Sequence, residues 1–190
     1  MRTERVGFAL CGSFCTHGKA LAALEELGRT YWDITPILSE CCCRTDTRFG
    51  TAAELRQRVE ALTGRKALDT IAAVEPIGPK KLLDILVIAP CTGNTLGKLA
   101  CGITDTAVTM AAKAHLRNGR PVVVAVSTND GLGAAARNIG ELLVRRNIYF
   151  VPFRQDDPAG KPASLAADLS RLGETVEAAL QGRQVQPILC

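Results

Sequence analysis

Apolar residues along this chain follow two rhythms that alternate from one end to the other. Short unbroken runs are each followed by a longer stretch in which apolar positions recur every three or four residues. Residues 85–88, Ile-Leu-Val-Ile, are the clearest run, and such a run suits a strand covered on both faces. Pro90 is expected to stop that strand, because proline has no N–H to give to a ladder. Residues 5–10 read as an earlier strand that enters Cys-Gly-Ser and then a helix carrying Leu21, Leu24 and Leu27, ended by Gly28. Residues 31–38 read as a strand and 39–50 as an irregular loop. Thr51 followed by Glu54 is a capping-box signature, after which Leu55, Val59 and Leu62 keep helical spacing as far as Gly64. The pattern over residues 67–81 assigns no element. Helices at 96–100 and 104–118, a strand at 121–126 and a helix at 134–146 come next. A strand at 149–152, a polar loop at 154–162 and a helix at 165–180 complete the chain.

Strand and helix alternating in this way predict one doubly wound, Rossmann-like parallel sheet in a flavodoxin-like three-layer α/β/α arrangement, with residues 1–190 as a single domain. A chain of 190 residues with 47% hydrophobic content can bury a substantial core. Its 23 basic and 19 acidic side chains leave a charge of +4, too small and too scattered to argue for nucleic acid. An aromatic content of 4% also leaves little on which bases could stack. No apolar run approaches the roughly 20 residues a membrane span needs. The first apolar stretch is broken at Gly12 and Ser13, so no secretory signal is expected and the location is expected to be cytoplasmic. There the eight cysteines should stay reduced. Cys41, Cys42 and Cys43 are adjacent, unlike the spaced pairs of zinc sites, so no metal is expected. Cys11, Cys15, Cys91 and Cys101 read as small, partly buried apolar side chains. The triple cysteine could alternatively be a redox-sensitive loop, with Arg44 nearby to lower a thiol pKa.

Candidate chemistry gathers where the strands end. Residues 11–16, 90–95 and 127–132 fall at the carboxyl ends of predicted strands, where open α/β sheets bind ligands. Each is rich in Gly, Ser, Thr or Asn, which bring backbone N–H groups near an oxyanion and add hydroxyl or amide donors. Gly12 and Ser13, opening a helix, suit a phosphate, and the helix dipole would favour it by a few tenths to about 1 kcal/mol. Neither the further glycines of a dinucleotide fingerprint nor a Walker lysine-serine pair follows. A mononucleotide such as flavin mononucleotide (FMN) fits better, with Asn94 and Asn129 able to offer both donors and acceptors to a ring edge.

The strand-Gly-Ser-helix start and the segment Ile-Ala-Pro-x-x-x-Asn-Thr-x-x-Lys-x-Ala at 88–100 resemble the FMN-binding decarboxylase-like flavoproteins. Within them, further segments resemble the B subunits of dipicolinate synthases over nearly the whole chain. These are Gly-Ser-x-Cys-Thr at 12–16, Thr-Arg-Phe-Gly at 47–50, Glu-Pro-x-Gly-Pro-Lys at 75–80 and Met-Ala-Ala-Lys-Ala at 110–114. Ser-Thr-Asn-Asp at 127–130, Pro-Phe-x-Gln-Asp-Asp-Pro at 152–158 and Gln-Pro-Ile-Leu near the end agree as well. The resemblance implies a role in spore formation, where a two-subunit synthase oxidises dihydrodipicolinate to dipicolinate with NADP as acceptor. The synthase's A subunit would carry the NADP, which agrees with the missing fingerprint here. By position the resemblance implies Gly12, Ser13, Thr16 and Ser39 near the flavin phosphate. It implies Pro90, Cys91, Thr92, Gly93, Asn94 and Thr95 around the ring and ribityl chain, and Ser127, Thr128 and Asn129 as further contacts. It also implies a homo-oligomer, for which the apolar face of the final helices offers a surface.

The decarboxylases of the broader family use a histidine before the fourth strand, and residues 65–83 contain none, which counts against decarboxylation. Of the two histidines, His115 reads as structural and His17 as a capping or phosphate contact. A dicarboxylate substrate calls for Arg or Lys, and Arg48 is favoured over Lys80 and Lys81. Asp105 reads as a helix first-turn carboxylate, and Asp156 with Asp157 as a solvated loop or partner contact. Two classes of function stay open: a catalytic role, or that of a noncatalytic partner that binds flavin or substrate and organises the A subunit.

Overall fold

The strands are β1 (Val6–Leu10), β2 (Ile34–Leu38), β3 (Ile85–Cys91), β4 (Val122–Thr128), β5 (Ile148–Phe150), β6 (Phe153–Arg154) and β7 (Leu165–Ala167), the longer ones formed by the unbroken apolar runs. The helices are α1 (His17–Thr30), α2 (Glu40–Arg44), α3 (Ala52–Thr63), α4 (Ile71–Val74), α5 (Gly93–Cys101), α6 (Ala107–Leu116), α7 (Ala136–Leu143) and α8 (Leu172–Leu180). This computed structural model describes residues 2–190. All the strands share one mixed sheet of 7 strands. Its parallel part has the order β2-β1-β3-β4-β5, the flavodoxin-type doubly wound order.

Alternation along the strands divides the core into two layers. Ile85, Val87 and Ala89 of β3 pack with Leu21 and Leu24 of α1, Leu55 and Val59 of α3, and Val176 of α8. Leu86 and Ile88 point the other way, onto Leu96 of α5, Ala111 of α6 and Leu142 of α7. Both faces are therefore dry, which is why the run reads as continuously apolar rather than alternating. Each Leu, Ile or Val so buried contributes about 1.5–3 kcal/mol. The chain winds from β1 to β2 on one side and returns to β3 on the other, so the crevice between β1 and β3 is the topological switch point.

Several expectations are corrected. Pro90 does not stop β3, which runs on to Cys91. The register slips between Ile88 and Cys91, and a proline is tolerated at such an irregularity because no ladder N–H is required of it. The strand expected at 31–38 begins only at Ile34, and the expected loop at 39–50 contains the helical turn α2, so the triple cysteine is not in an irregular loop. The unassigned stretch contains α4 and a following 3-10 turn. The helix expected at 165–180 begins as β7, antiparallel to β4 and β6, adding a short antiparallel extension to the parallel sheet. Cys11 and Cys91 are buried as expected, but Cys15 and Cys101 are exposed. Asp105 lies outside α6, whose N-cap is Thr106, and pairs with Lys98 at 2.8 Å instead of sitting in the first turn. The apolar residues of α8, Leu172, Val176 and Ala179, are spent on the sheet, so α8 offers no spare face. Exposed apolar residues include Leu132, Leu143 and Val144 around α7, with others, such as Trp32, Phe49, Ile103 and Leu189, elsewhere on the surface.

Gly131 ties this extension to the carboxyl end of β4. A Cβ placed there would lie 2.6 Å from both Cβ and Cγ of Leu165 in β7. Gly131→Ala is expected to destabilise the fold by about 1–2 kcal/mol through overpacking, read as a lower urea midpoint at unchanged m-value. An unchanged midpoint would show that this approach is not tight.

Candidate functional site

Three loops meet over the carboxyl ends of β1, β3 and β4, and their hydroxyls join them. Ser13 Oγ lies 2.7 Å from Ser127 Oγ, and Thr16 Oγ1 lies 2.8 Å from the same atom. Ser13 and Thr16 are 3.4 Å apart, closing a triangle. The first two come from the turn before α1 and the third from the end of β4, so the triangle bridges the crevice beside the switch point. All three partners are neutral, and the amino end of α1 opens beside them. Such a donor set suits a phosphate monoester, which would take up hydroxyl donors that now point at each other.

The β3 loop is organised as a helix start. Thr92 is the N-cap of α5, accepting from the Thr95 N–H at 3.2 Å, and Gly93, Asn94 and Thr95 form the first turn. A Cβ on Gly93 would sit 2.7 Å from Thr128 Oγ1 and 2.9 Å from Asp130 Oδ1, so glycine allows the β3 and β4 loops to close on each other. That contact sets Asn94 and Asn129, both exposed, on the two sides of one seam. Sequence reasoning does not single out Asp130, whose Oδ1 accepts from Thr128 Oγ1 at 2.5 Å. The hints are its place in the Ser-Thr-Asn-Asp segment and its position two residues after Thr128, a spacing that favours local side-chain turns.

Not every expected residue faces this crevice. Pro90 and Cys91 are fully buried, and the Thr95 hydroxyl donates to Cys11 Sγ at 3.4 Å. These residues hold the loop in place, and Thr92, Gly93 and Asn94 are its more exposed part. Gly12 touches α2, because a Cβ there would lie 3.2 Å from Cys41 Cβ. Ser39 adjoins β1 through its N–H to Leu10 O at 3.0 Å, but its hydroxyl donates to Cys42 Sγ at 3.3 Å and stays out of the triangle. Lys80 is exposed near the amino end of β3. Seven residues of strand, about 20 Å, separate that end from the loops, so Lys80 is not brought to the site within one chain. Arg48 is exposed, with its guanidinium 4.9 Å from the Phe49 ring centre.

The two histidines take structural parts. His17 is 8% exposed, and its Nε2 is 2.8 Å from Cys11 O, so it braces the β1 loop from below rather than reaching the triangle. Burial lowers its pKa, an effect partly offset by that carbonyl. His115 is buried, with Nε2 3.1 Å from Pro121 O, and burial lowers its pKa to about 4. Burial also raises the Cys11 thiol to about 11 and the Cys42 thiol to about 12, so neither is a thiolate at neutral pH.

A cavity of about 500 Å³ opens beside this crevice, between α1, the loop after α2 and α3. A larger cavity, about 890 Å³, runs instead along the outer side of α1 against α8 and includes no residue of the three loops. The convergence of those loops at the switch point, rather than cavity size, locates the candidate site.

The chain is similar to known proteins over its whole length. Residues 1–149 match the Flavoprotein family. Over 189 residues, 100% of this chain and 94% of the relative, the sequence is 47% identical to the B subunit of dipicolinate synthase from Bacillus subtilis (strain 168). The crystal structure of the dipicolinate synthase B subunit from Bacillus halodurans C superposes with a TM-score of 0.90 at 46% identity, covering 98% of this chain and 96% of that one. The fold also matches the FMN-dependent cysteine decarboxylase SpaF, with a TM-score of 0.67 at 23% identity over 94% of this chain and 97% of that one.

Proposed function

The chain belongs to the Flavoprotein family, and from that premise we propose that it serves as the B subunit of a dipicolinate synthase, binding FMN at the β1/β3 switch point. The observation that carries the cofactor reading is the hydroxyl triangle of Ser13, Thr16 and Ser127. In this reading the triangle and the amino end of α1 hold the flavin phosphate, while Thr92, Gly93 and Asn94 with Thr128 and Asn129 contact the ring and ribityl chain. Bound there, the flavin supplies a two-electron acceptor. Arg48 is assigned to a substrate carboxylate, and NADP to the synthase's A subunit. The protein acts in the cytoplasm of a sporulating cell. It assembles in several copies, for which the exposed Leu143 and Val144 supply apolar surface.

One observation favours an organising role over direct acid-base catalysis by this chain. His17, next to the crevice, is buried and engaged with Cys11 O, and the hydroxyls of the triangle carry no charge. Proton transfer then falls to the A subunit or to water. The test is dipicolinate formation from dihydrodipicolinate and NADP by the A subunit, with and without this chain and FMN. The reading predicts product only when both subunits are present, and full activity from the A subunit in the absence of this chain would refute it.

A further inference from the structure

Two helices open their amino ends at the carboxyl edge of the sheet, and neither carries an acidic residue in its first turn. At α1 that end is left to the neutral hydroxyls of Ser13, Thr16 and Ser127. At α5 it meets a carboxylate brought in by the loop after β4. A Cβ on Gly93, the first residue of α5, would lie 2.9 Å from Asp130 Oδ1, so this carboxylate stands directly against the start of the helix. Asp130 is exposed, and it makes no ion pair among the described residues. Its Oδ1 accepts from the Thr128 hydroxyl at 2.5 Å, while its main-chain oxygen accepts from the Gly133 and Ala135 N–H groups at 2.8 and 3.1 Å. Backbone and side chain are thus both held, and Oδ2 has no protein partner among the described residues. A helix amino end favours negative charge, so a carboxylate stationed at α5 satisfies that end and repels a second anion, while α1 stays open to one.

We propose that Asp130 fixes which way round the ligand lies. It turns negative groups away from the α5 side of the crevice and accepts hydrogen bonds there from N–H or O–H groups of the ligand's uncharged part. A phosphate is thereby directed to the α1 side, and negative charge that the ligand gains on the α5 side is disfavoured. The proposal deepens the flavin reading, on which it rests, and adds a specificity-determining residue to the contacts already assigned. For a flavin, the charge concerned is the one the ring gains on two-electron reduction, so Asp130 weakens binding of the reduced form relative to the oxidised one.

The test uses the full chain and Asp130→Asn, which keeps an oxygen for the Thr128 hydroxyl and loses the charge. The probes are FMN, riboflavin and inorganic phosphate. In the parent, phosphate should compete with FMN but not with riboflavin, which has no phosphate and leaves the triangle open. In Asp130→Asn it should compete with riboflavin too, because the α5 side then admits an anion. The variant should also favour reduced over oxidised FMN about tenfold more than the parent does, a positive shift of about 30 mV in the two-electron potential of the bound flavin. Asp130→Ser, also neutral, should give the same pattern, and Asp130→Glu should restore the parent's. A merely structural role would change stability or all affinities together and leave competition pattern and potential where they were. That result, with FMN bound by the parent, would overturn the proposal and leave the flavin reading standing. No FMN binding by the parent would remove both.

Discussion

Ser13→Asp is expected to weaken binding of flavin mononucleotide by more than about 100-fold. The new carboxylate would stand in the hydroxyl triangle, where Ser13 lies 2.7 Å from Ser127 and 3.4 Å from Thr16. A unit charge about 5 Å from a phosphate repels it by about 3 kcal/mol per phosphate charge at an effective dielectric constant near 20, and each 1.4 kcal/mol is a tenfold loss. Ser13 is partly exposed, so the folded state can hold the charge with little loss of stability. Ser127→Ala removes one donor and should cost only about tenfold. Titration of each variant by flavin fluorescence separates the two effects. Equal small losses would mean that no anion lies in the triangle.

The largest effect on stability is expected at the opposite end of the sheet. Asp84, just before β3, accepts from the Arg5 N–H at 2.9 Å and from its guanidinium at 3.0 and 2.9 Å, and from Arg120 at 2.8 Å. Its side chain is 28% exposed, and hydrogen bonding to Arg5 holds its pKa at about 2, below the usual 3.8. Because the folded pKa is the lower one, the carboxylate's contribution is fully present above the unfolded value and is lost as pH falls through the folded one. That contribution is about 2 kcal/mol and should fade between about pH 5 and pH 2. Asp84→Ala leaves two guanidinium groups facing each other and should cost about 2–3 kcal/mol near neutral pH, between the values typical of exposed and buried pairs. Urea unfolding of both proteins at pH 7 and pH 2.5 checks this. The difference should be large at pH 7 and should shrink at pH 2.5; a difference independent of pH would place the effect in packing rather than charge.

The parallel core was legible because its strands are dry on both faces, and a run such as Ile85–Ile88 has few other ways to fold. The capping box at Thr51 and Glu54 was equally plain, since it is local chemistry, and it is present. What escaped the sequence depended on distant partners. β7 is only three residues long and exists because Gly131 lets Leu165 approach the end of β4. Pro90 looked like a stop because the slip in register that tolerates it is a property of the β3–β4 pair. At the site, the three loops were legible as small polar segments after strands. Their closure on one another through Ser13, Thr16 and Ser127, and through Gly93 and Thr128, is a long-range contact that local spacing does not encode. Lys80 reads as a candidate by its charge alone, and the fold sets it at the far end of β3.

Whether the switch-point crevice binds flavin mononucleotide is tested most directly by titrating the purified full chain with FMN and following flavin fluorescence. One saturable site per chain is expected, strongly weakened by Ser13→Asp. Failure to saturate, or an affinity indifferent to that substitution, would contradict the flavin reading.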